Sequence, residues 1–199
     1  KRALVVAPTI VLPTWEREVR RHSNDELTAL VIQGERDQKI AQANDYDVVV
    51  VSYATAQIEY ANATNNFLPP EYRVKGRVTD ESVAAALDVL RGADLATYGA
   101  VAKKMRTEQP RSALLGVEYD HVVVDESHMM GNWSSGRTRA LLQLAERAQR
   151  RYLLTGTPAD QPLKLYPQLY ALHPRLEGRT YYDFHMAHVT QDAHNKHVV

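Results

Sequence analysis

The chain has 199 residues, with 24 basic and 24 acidic side chains and no cysteine. That length suits one α/β domain burying roughly 70% of its unfolded surface; the balanced charge excludes a binder held to nucleic acid by a global positive field, and the missing cysteine excludes a disulfide framework, a thiolate zinc site and a cysteine nucleophile. No apolar run approaches the roughly 18 residues of a membrane span and no signal-peptide pattern is present, so a soluble, intracellular protein is expected, cytoplasmic, or nuclear in a eukaryote.

The chain opens at Lys1 and enters an apolar run two residues later, which reads as a piece of something longer. Ala3–Ala7 is short, continuously apolar and stopped by Pro8, the pattern of a strand buried on both faces of a parallel sheet. A helix follows: Pro13 is tolerated in a first turn, Leu12, Trp15 and Val19 share one face, and Glu16, Arg17, Arg20 and Arg21 face outward. Thr28–Ile32 reads as a second strand, Arg36–Ala43 as a short polar helix and the β-branched Asp47–Ser52 as a third strand. Residues 54–117 are too long for a simple crossover and predict a helical insertion, with helices over Asp80–Leu90, capped near Thr79, and Leu95–Met105. Val122–Val124 is a fourth strand, Arg137–Arg150 a helix, and Tyr152–Leu154 a fifth strand ended by the turn Thr155-Gly156-Thr157-Pro158.

Strands alternating with helices predict an α/β domain with a parallel sheet covered by helices on both faces, and such sheets bind ligands at the carboxyl ends of their strands. Ser52, Asp125 and Thr155 follow Val51, Val124 and Leu154 at three predicted strand ends, so three polar groups converge on one rim. Asp125-Glu126-Ser127-His128 is the strongest local signal. At a strand end, one carboxylate can hold Mg²⁺ and its neighbour can orient or deprotonate water, the division of labour that phosphoryl transfer from a nucleotide requires. The bland alternative is a strand-end Asp capping a turn beside a solvated Glu126. Thr155, Gly156 and Thr157 by themselves are a turn with hydroxyls, and gain meaning from lying beside the acidic box. Pro8 and Thr9 open a helix, and Ser52 and Tyr53 follow a strand; each site suits a phosphate oxygen, and each is also what an ordinary βα loop looks like.

Four blocks together carry a family resemblance. APTIVLPTWEREVRRH (7–22) resembles motif Ia of the SNF2 branch of superfamily 2 helicases, and DVVVVSYATA (47–56) resembles motif Ib. VVVDESHMMGNWSSGRTRALLQL (122–144) resembles motif II with its following helix, and YLLTGTPADQPLKLYPQLYALHP (152–174) resembles motif III. The blocks stand in the family's order and cover most of the chain outside 54–117; their wording is most similar to the annealing-helicase (HARP-like) subgroup. The resemblance implies a partial first RecA-like lobe over 1–199, with 54–117 inserted in it, belonging to a translocase that hydrolyses ATP with Mg²⁺ to move along or remodel double-stranded DNA. It further implies that Asp125 holds the Mg²⁺ of ATP, Glu126 is the catalytic base, and His128 couples hydrolysis to the partner lobe. Thr155, Gly156 and Thr157 would link the nucleotide site to DNA, while Pro8, Thr9, Ser52 and Tyr53 would lie along the tracked strand.

The family's P-loop, GxGKT/S, does not occur in this sequence, and the second RecA-like lobe with its arginine fingers is also not part of it. Without a nest of backbone N–H groups and a lysine for the β- and γ-phosphates, this chain alone is expected to hydrolyse ATP negligibly. Ser127 stands where alanine is usual, and Met129-Met130-Gly131 where a basic stretch is usual. Two other classes fit the same residues: a non-catalytic module binding DNA or protein, and the motor piece of a phage or restriction DNA-processing complex. His185, His188, His194 and His197 lack the Cys or carboxylate support of a metal site and read as solvated. Tyr166 and Tyr170 read as a helix packing face, and Arg17, Arg20, Arg21, Lys103, Lys104, Arg106, Arg137 and Arg139 as solvent-facing helix positions.

Overall fold

The computed structural model describes residues 1–108, 113–173 and 180–188. Five strands, β1 (Ala3–Ala7), β2 (Ala29–Ile32), β3 (Val48–Ser52), β4 (His121–Asp125) and β5 (Arg150–Leu154), form one sheet in the order β2-β3-β1-β4-β5. Every pairing is parallel. Val6 pairs with Val51 on one side and Val124 on the other, so the central strands end at one level. All five residues of β3 are buried, as expected where helices cover both sides of a strand.

The two faces have separate cores. Helix α1 (Leu12–His22) lays Leu12, Trp15 and Val19 on Val5, Ala7, Val48 and Val50. The opposite face presents Leu4, Val6, Val49, Val51, Val122 and Val124 to a larger core. That core includes Ile40 of α2 (Arg36–Gln42), Ala56 of α3 (Tyr53–Asn65), and Leu141 and Leu144 of α6 (Gly136–Arg147). The expected α/β architecture with helices on both faces is therefore the observed one.

Helix α3 has no counterpart in the sequence reading. Its sequence, YATAQIEYANATN, shows almost no amphipathic period, because small residues on several sides let it sit close to the sheet and to α6. Residues 66–108 behave differently. Helices α4 (Asp80–Ala93) and α5 (Leu95–Glu108) build a third core around Leu68, Val83, Leu90 and Val101, apart from the two sheet cores. Thr79 caps α4 as expected, in a reciprocal capping box with Ser82.

The third core is tied to the sheet domain at a few points. Asn65, at the end of α3, donates to the Val74 carbonyl (3.1 Å) and accepts from the Val74 N–H (2.9 Å). Asp80, the first residue of α4, accepts from Gln57 Nε2 on α3 at 2.5 Å. Its carboxyl group also occupies the space beside Gly136, where an added Cβ would lie 1.8 Å from Asp80 Oδ2. Burial pushes the Asp80 carboxyl above the usual carboxylate range, against the Gln57 hydrogen bond that lowers it. A side chain at 136 would displace the Asp80 carboxyl from its present position.

Gly136→Ala is expected to lower stability by about 1–3 kcal/mol. In an Asp80→Ala background the same change should cost markedly less, since the colliding carboxyl is gone. A double-mutant cycle by urea unfolding checks this, and additive losses would separate the two residues.

Candidate active site

The common level of the strand ends puts the expected residues on one rim. Pro8 and Thr9 follow β1, Ser52 and Tyr53 close β3, Asp125 and Glu126 close β4, and Thr155 follows β5. Thr9 and the adjacent Ile10, which is 87% exposed, sit on a 3-10 turn over Thr9–Val11 that runs straight into α1.

Glu126 is the conformational centre of the rim. Its backbone is left-handed, at φ 54° and ψ 49°, and turns the chain out of β4 into a 3-10 turn over Ser127–Met130. An L-residue with a side chain adopts that region at some cost and needs support from its surroundings. Tyr53 supplies it. Its hydroxyl donates to the Asp125 carbonyl at 2.6 Å and to the Glu126 carbonyl at 3.0 Å. Burial, with the Asp125 charge adding to it, pushes the Tyr53 phenol well above its ordinary value, so the ring remains a donor. The Arg137 guanidinium lies 5.8 Å from the Tyr53 ring centre and draws its pKa the other way.

The Asp125 side chain is held on both oxygens. Oδ1 accepts from the Glu126 N–H at 3.0 Å and Oδ2 from the Trp15 indole N–H at 2.9 Å. Each oxygen keeps acceptor capacity, because a carboxylate offers about four lone-pair sites. The Glu126 carboxylate is about half exposed, and its Oε2 lies 3.2 Å from His128 Nδ1. The same His128 nitrogen is 3.1 Å from Thr155 Oγ1, which in turn accepts from the Thr157 N–H at 3.2 Å. The acidic box and the Thr155–Thr157 turn are thus brought together as expected, through His128.

A second link joins the same two segments underneath. Ser127, fully buried, donates to Gln168 Oε1 at 2.8 Å, and Gln168 Nε2 donates to the Pro158 carbonyl at 2.5 Å. Gln168 lies on α7 (Tyr166–Leu172) and had no reading in the sequence. Its only advance sign was the unusual serine at 127, a hydroxyl that once buried must find a partner.

Ser52 and Tyr53 sit deeper than Pro8 and Thr9. Both side chains are buried, at 6% and 3% exposure. Ser52 caps α3 by accepting from the Thr55 N–H at 3.0 Å, and Tyr53 braces the acidic turn. Neither side chain faces out toward a passing strand; on this rim Pro8 is half-buried and Thr9 is exposed.

Among the described residues no three His, Asp or Glu side chains cluster as a metal site. His188 bonds the Phe184 carbonyl and stacks on the Phe184 ring; His194 and His197 lie outside the described residues. Tyr166 and Tyr170 pack around Trp133, in agreement with their reading as a packing face.

A family model described as the SNF2-related domain matches residues 1–188. The chain belongs to the SNF2-related domain family. The human DNA annealing helicase and endonuclease ZRANB3 is 44% identical over 68 residues, 34% of this chain and 6% of that protein. The Xenopus tropicalis SWI/SNF-related matrix-associated actin-dependent regulator of chromatin subfamily A-like protein 1 is 29% identical over 147 residues, 70% of this chain and 14% of that protein. The chain therefore spans a small part of these relatives. In structure it is similar to the Sulfolobus solfataricus SWI2/SNF2 ATPase core in complex with dsDNA, with a TM-score of 0.57 and 20% identity over 93% of this chain and 27% of the other. At that identity the likeness establishes the fold. No described helix is long and apolar enough to cross a membrane.

Tyr53→Phe is expected to destabilise the protein by about 1–3 kcal/mol, because the two carbonyls of the acidic turn lose their buried donor. The Tyr53 pKa is raised above its ordinary 10.0 in the folded state, so this contribution is complete below pH 10.0 and shrinks as pH rises beyond it. Denaturant unfolding of both proteins across neutral to alkaline pH checks the size and the direction.

Proposed function

We propose that this chain is the Mg²⁺-binding and water-activating part of an ATP-hydrolysing motor, and that the complete gene product uses it to move along or remodel double-stranded DNA. The observation that carries this reading is the presentation of Asp125 and Glu126 together at the end of β4, on the rim shared with Thr9 and Thr155.

In this reading Asp125 holds the Mg²⁺ of ATP, and that ion supplies charge neutralisation at the transferring phosphoryl group. Glu126, half exposed and next in the chain, accepts the proton of the attacking water on its carboxylate. His128 brings its Nδ1 within reach of both the Glu126 carboxylate and the Thr155 hydroxyl, so a movement of the Thr155–Thr157 turn is felt at the base. Thr9, exposed at the amino end of the α1 segment, offers its hydroxyl and nearby backbone to a DNA phosphate. Ser52 and Tyr53 act behind that surface, shaping α3 and the acidic turn.

The sheet also has a place for the phosphate-binding strand. Among the described residues β5 pairs with β4 alone, and Tyr152 and Leu154 are 42% and 43% exposed. By register these two side chains share a face with Val123 and Asp125. A further parallel strand on the outer edge of β5, followed by a helix over that face, buries both residues and brings a P-loop to the same rim as Asp125. The helical insertion over 54–117 contributes the separate core of α4 and α5, and a second RecA-like lobe completes the motor. The protein works inside the cell, where its DNA is.

In the complete gene product, Glu126→Gln is expected to lower ATP turnover by about 10²–10⁴-fold while nucleotide binding is retained. Near-normal turnover would remove Glu126 from the role of base. Thr9→Ala should reduce DNA-stimulated turnover more than turnover without DNA. Equal losses in the two assays would take Thr9 off the DNA path.

A further inference from the structure

The exposed turn at Thr9 and the metal-binding carboxylate are joined by a single piece of secondary structure. The 3-10 turn Thr9–Val11 is closed by the Val11 N–H on the Pro8 carbonyl, at 3.0 Å, and passes into α1 without a break. Leu12, 1% exposed, plugs the start of α1 into the sheet, and Trp15 follows one turn later on the same face. The Trp15 indole then reaches across to Asp125, 110 residues away in sequence, and donates to Oδ2 at 2.9 Å.

An indole N–H can only donate, and it sits on a rigid bicyclic ring. Its direction therefore fixes where the carboxylate points. Trp15 is half-buried against the core between α1 and the sheet, and its ring is carried by the α1 backbone. The opposite side of the acidic turn is immobilised separately, because Tyr53 holds the Asp125 and Glu126 carbonyls from α3. With the backbone held by Tyr53 and Oδ1 by the Glu126 N–H, Oδ2 is the carboxylate oxygen whose placement depends on α1.

We propose that Trp15 is a positioning residue that reports occupancy of the Thr9–Val11 turn to Asp125, so that DNA on that turn improves the alignment of the Mg²⁺-binding carboxylate. The inference rests on the motor reading given above. It assigns the communication between DNA and metal to one hydrogen bond, separate from the His128–Thr155 contact on the other side of the acidic turn.

The test is ATP turnover by the complete gene product as a function of free Mg²⁺, with and without duplex DNA. Wild-type protein should need less Mg²⁺ for half-maximal turnover when DNA is present. In Trp15→Phe the DNA-induced shift in Mg²⁺ requirement should disappear, and DNA-stimulated turnover should fall about tenfold, which corresponds to roughly 1.4 kcal/mol in the barrier. DNA affinity measured without nucleotide should stay within about twofold, since the turn itself is untouched. If Trp15→Phe fails to fold, site-specific replacement of Trp15 by benzothienylalanine keeps the ring shape and removes only the N–H, and the same loss is expected. A variant that folds and keeps the wild-type Mg²⁺ shift overturns the proposal while leaving the motor reading intact. Wild-type protein without DNA-stimulated turnover overturns both.

Discussion

The common direction and register of the strands is the constraint on which everything else depends. A parallel sheet returns the chain to one rim after every crossover, so its carboxyl ends must be neighbours whatever lies between them. Val6 stands level with Val51 and Val124, and the residues that follow these positions meet although they lie tens of residues apart in sequence. Strand interiors can then be wholly apolar and interchangeable, while chemistry gathers at the strand ends. A substitution of valine by isoleucine in β3 is a packing event; a change at Asp125 removes the acceptor of the Trp15 and Glu126 N–H groups.

A rim of polar groups on a hydrophobic sheet needs rigidity, and here two aromatic residues provide much of it. Tyr53 and Trp15 come from opposite faces of the sheet, one from the helix after β3 and the other from the helix after β1. Each has a large apolar body for its core and a single donor for the acidic turn, the combination that makes tyrosine and tryptophan useful at such boundaries. Because burial keeps the Tyr53 phenol protonated, its one hydrogen stays available to the Asp125 and Glu126 carbonyls. The left-handed Glu126 can therefore be maintained without a glycine, which leaves the position free to carry a carboxylate.

What the sequence made legible was local. Five strands are readable because each is short, β-branched or continuously apolar, and bounded by Pro, Asp or a turn. Helix α4 is readable because Thr79 stands at its cap. The acidic box and its neighbours are readable because strand ends can be counted, and the family resemblance rests on those same blocks. Helix α3 was not readable, since a helix that packs through alanine and threonine on several sides has no periodic stripe. That the Ser52 and Tyr53 side chains turn inward was not readable, because strand-end position says nothing about which way a side chain turns. Trp15 looked like a core residue and is one, yet its N–H belongs to the site, and no spacing rule connects positions 15 and 125. The Ser127–Gln168 bond is hidden for the same reason.

The placement of residues 66–108 follows from the same logic of contact rather than sequence. Their helices are held together by their own core, and they touch the sheet domain through polar contacts and one steric fit, Asp80 against Gly136. Gly136 opens α6, whose Arg137 leans on Tyr53, and Tyr53 holds the acidic turn. A continuous set of contacts therefore runs from the first turn of α4 to Glu126. Contact alone does not make a pathway, because coupling needs an element with two arrangements that both ends can bias. The start of α6 is such an element only if Asp80 can leave the space beside Gly136. Burial raises the Asp80 carboxyl pKa while the Gln57 hydrogen bond lowers it, so the same group that fills the space beside Gly136 is also held by α3.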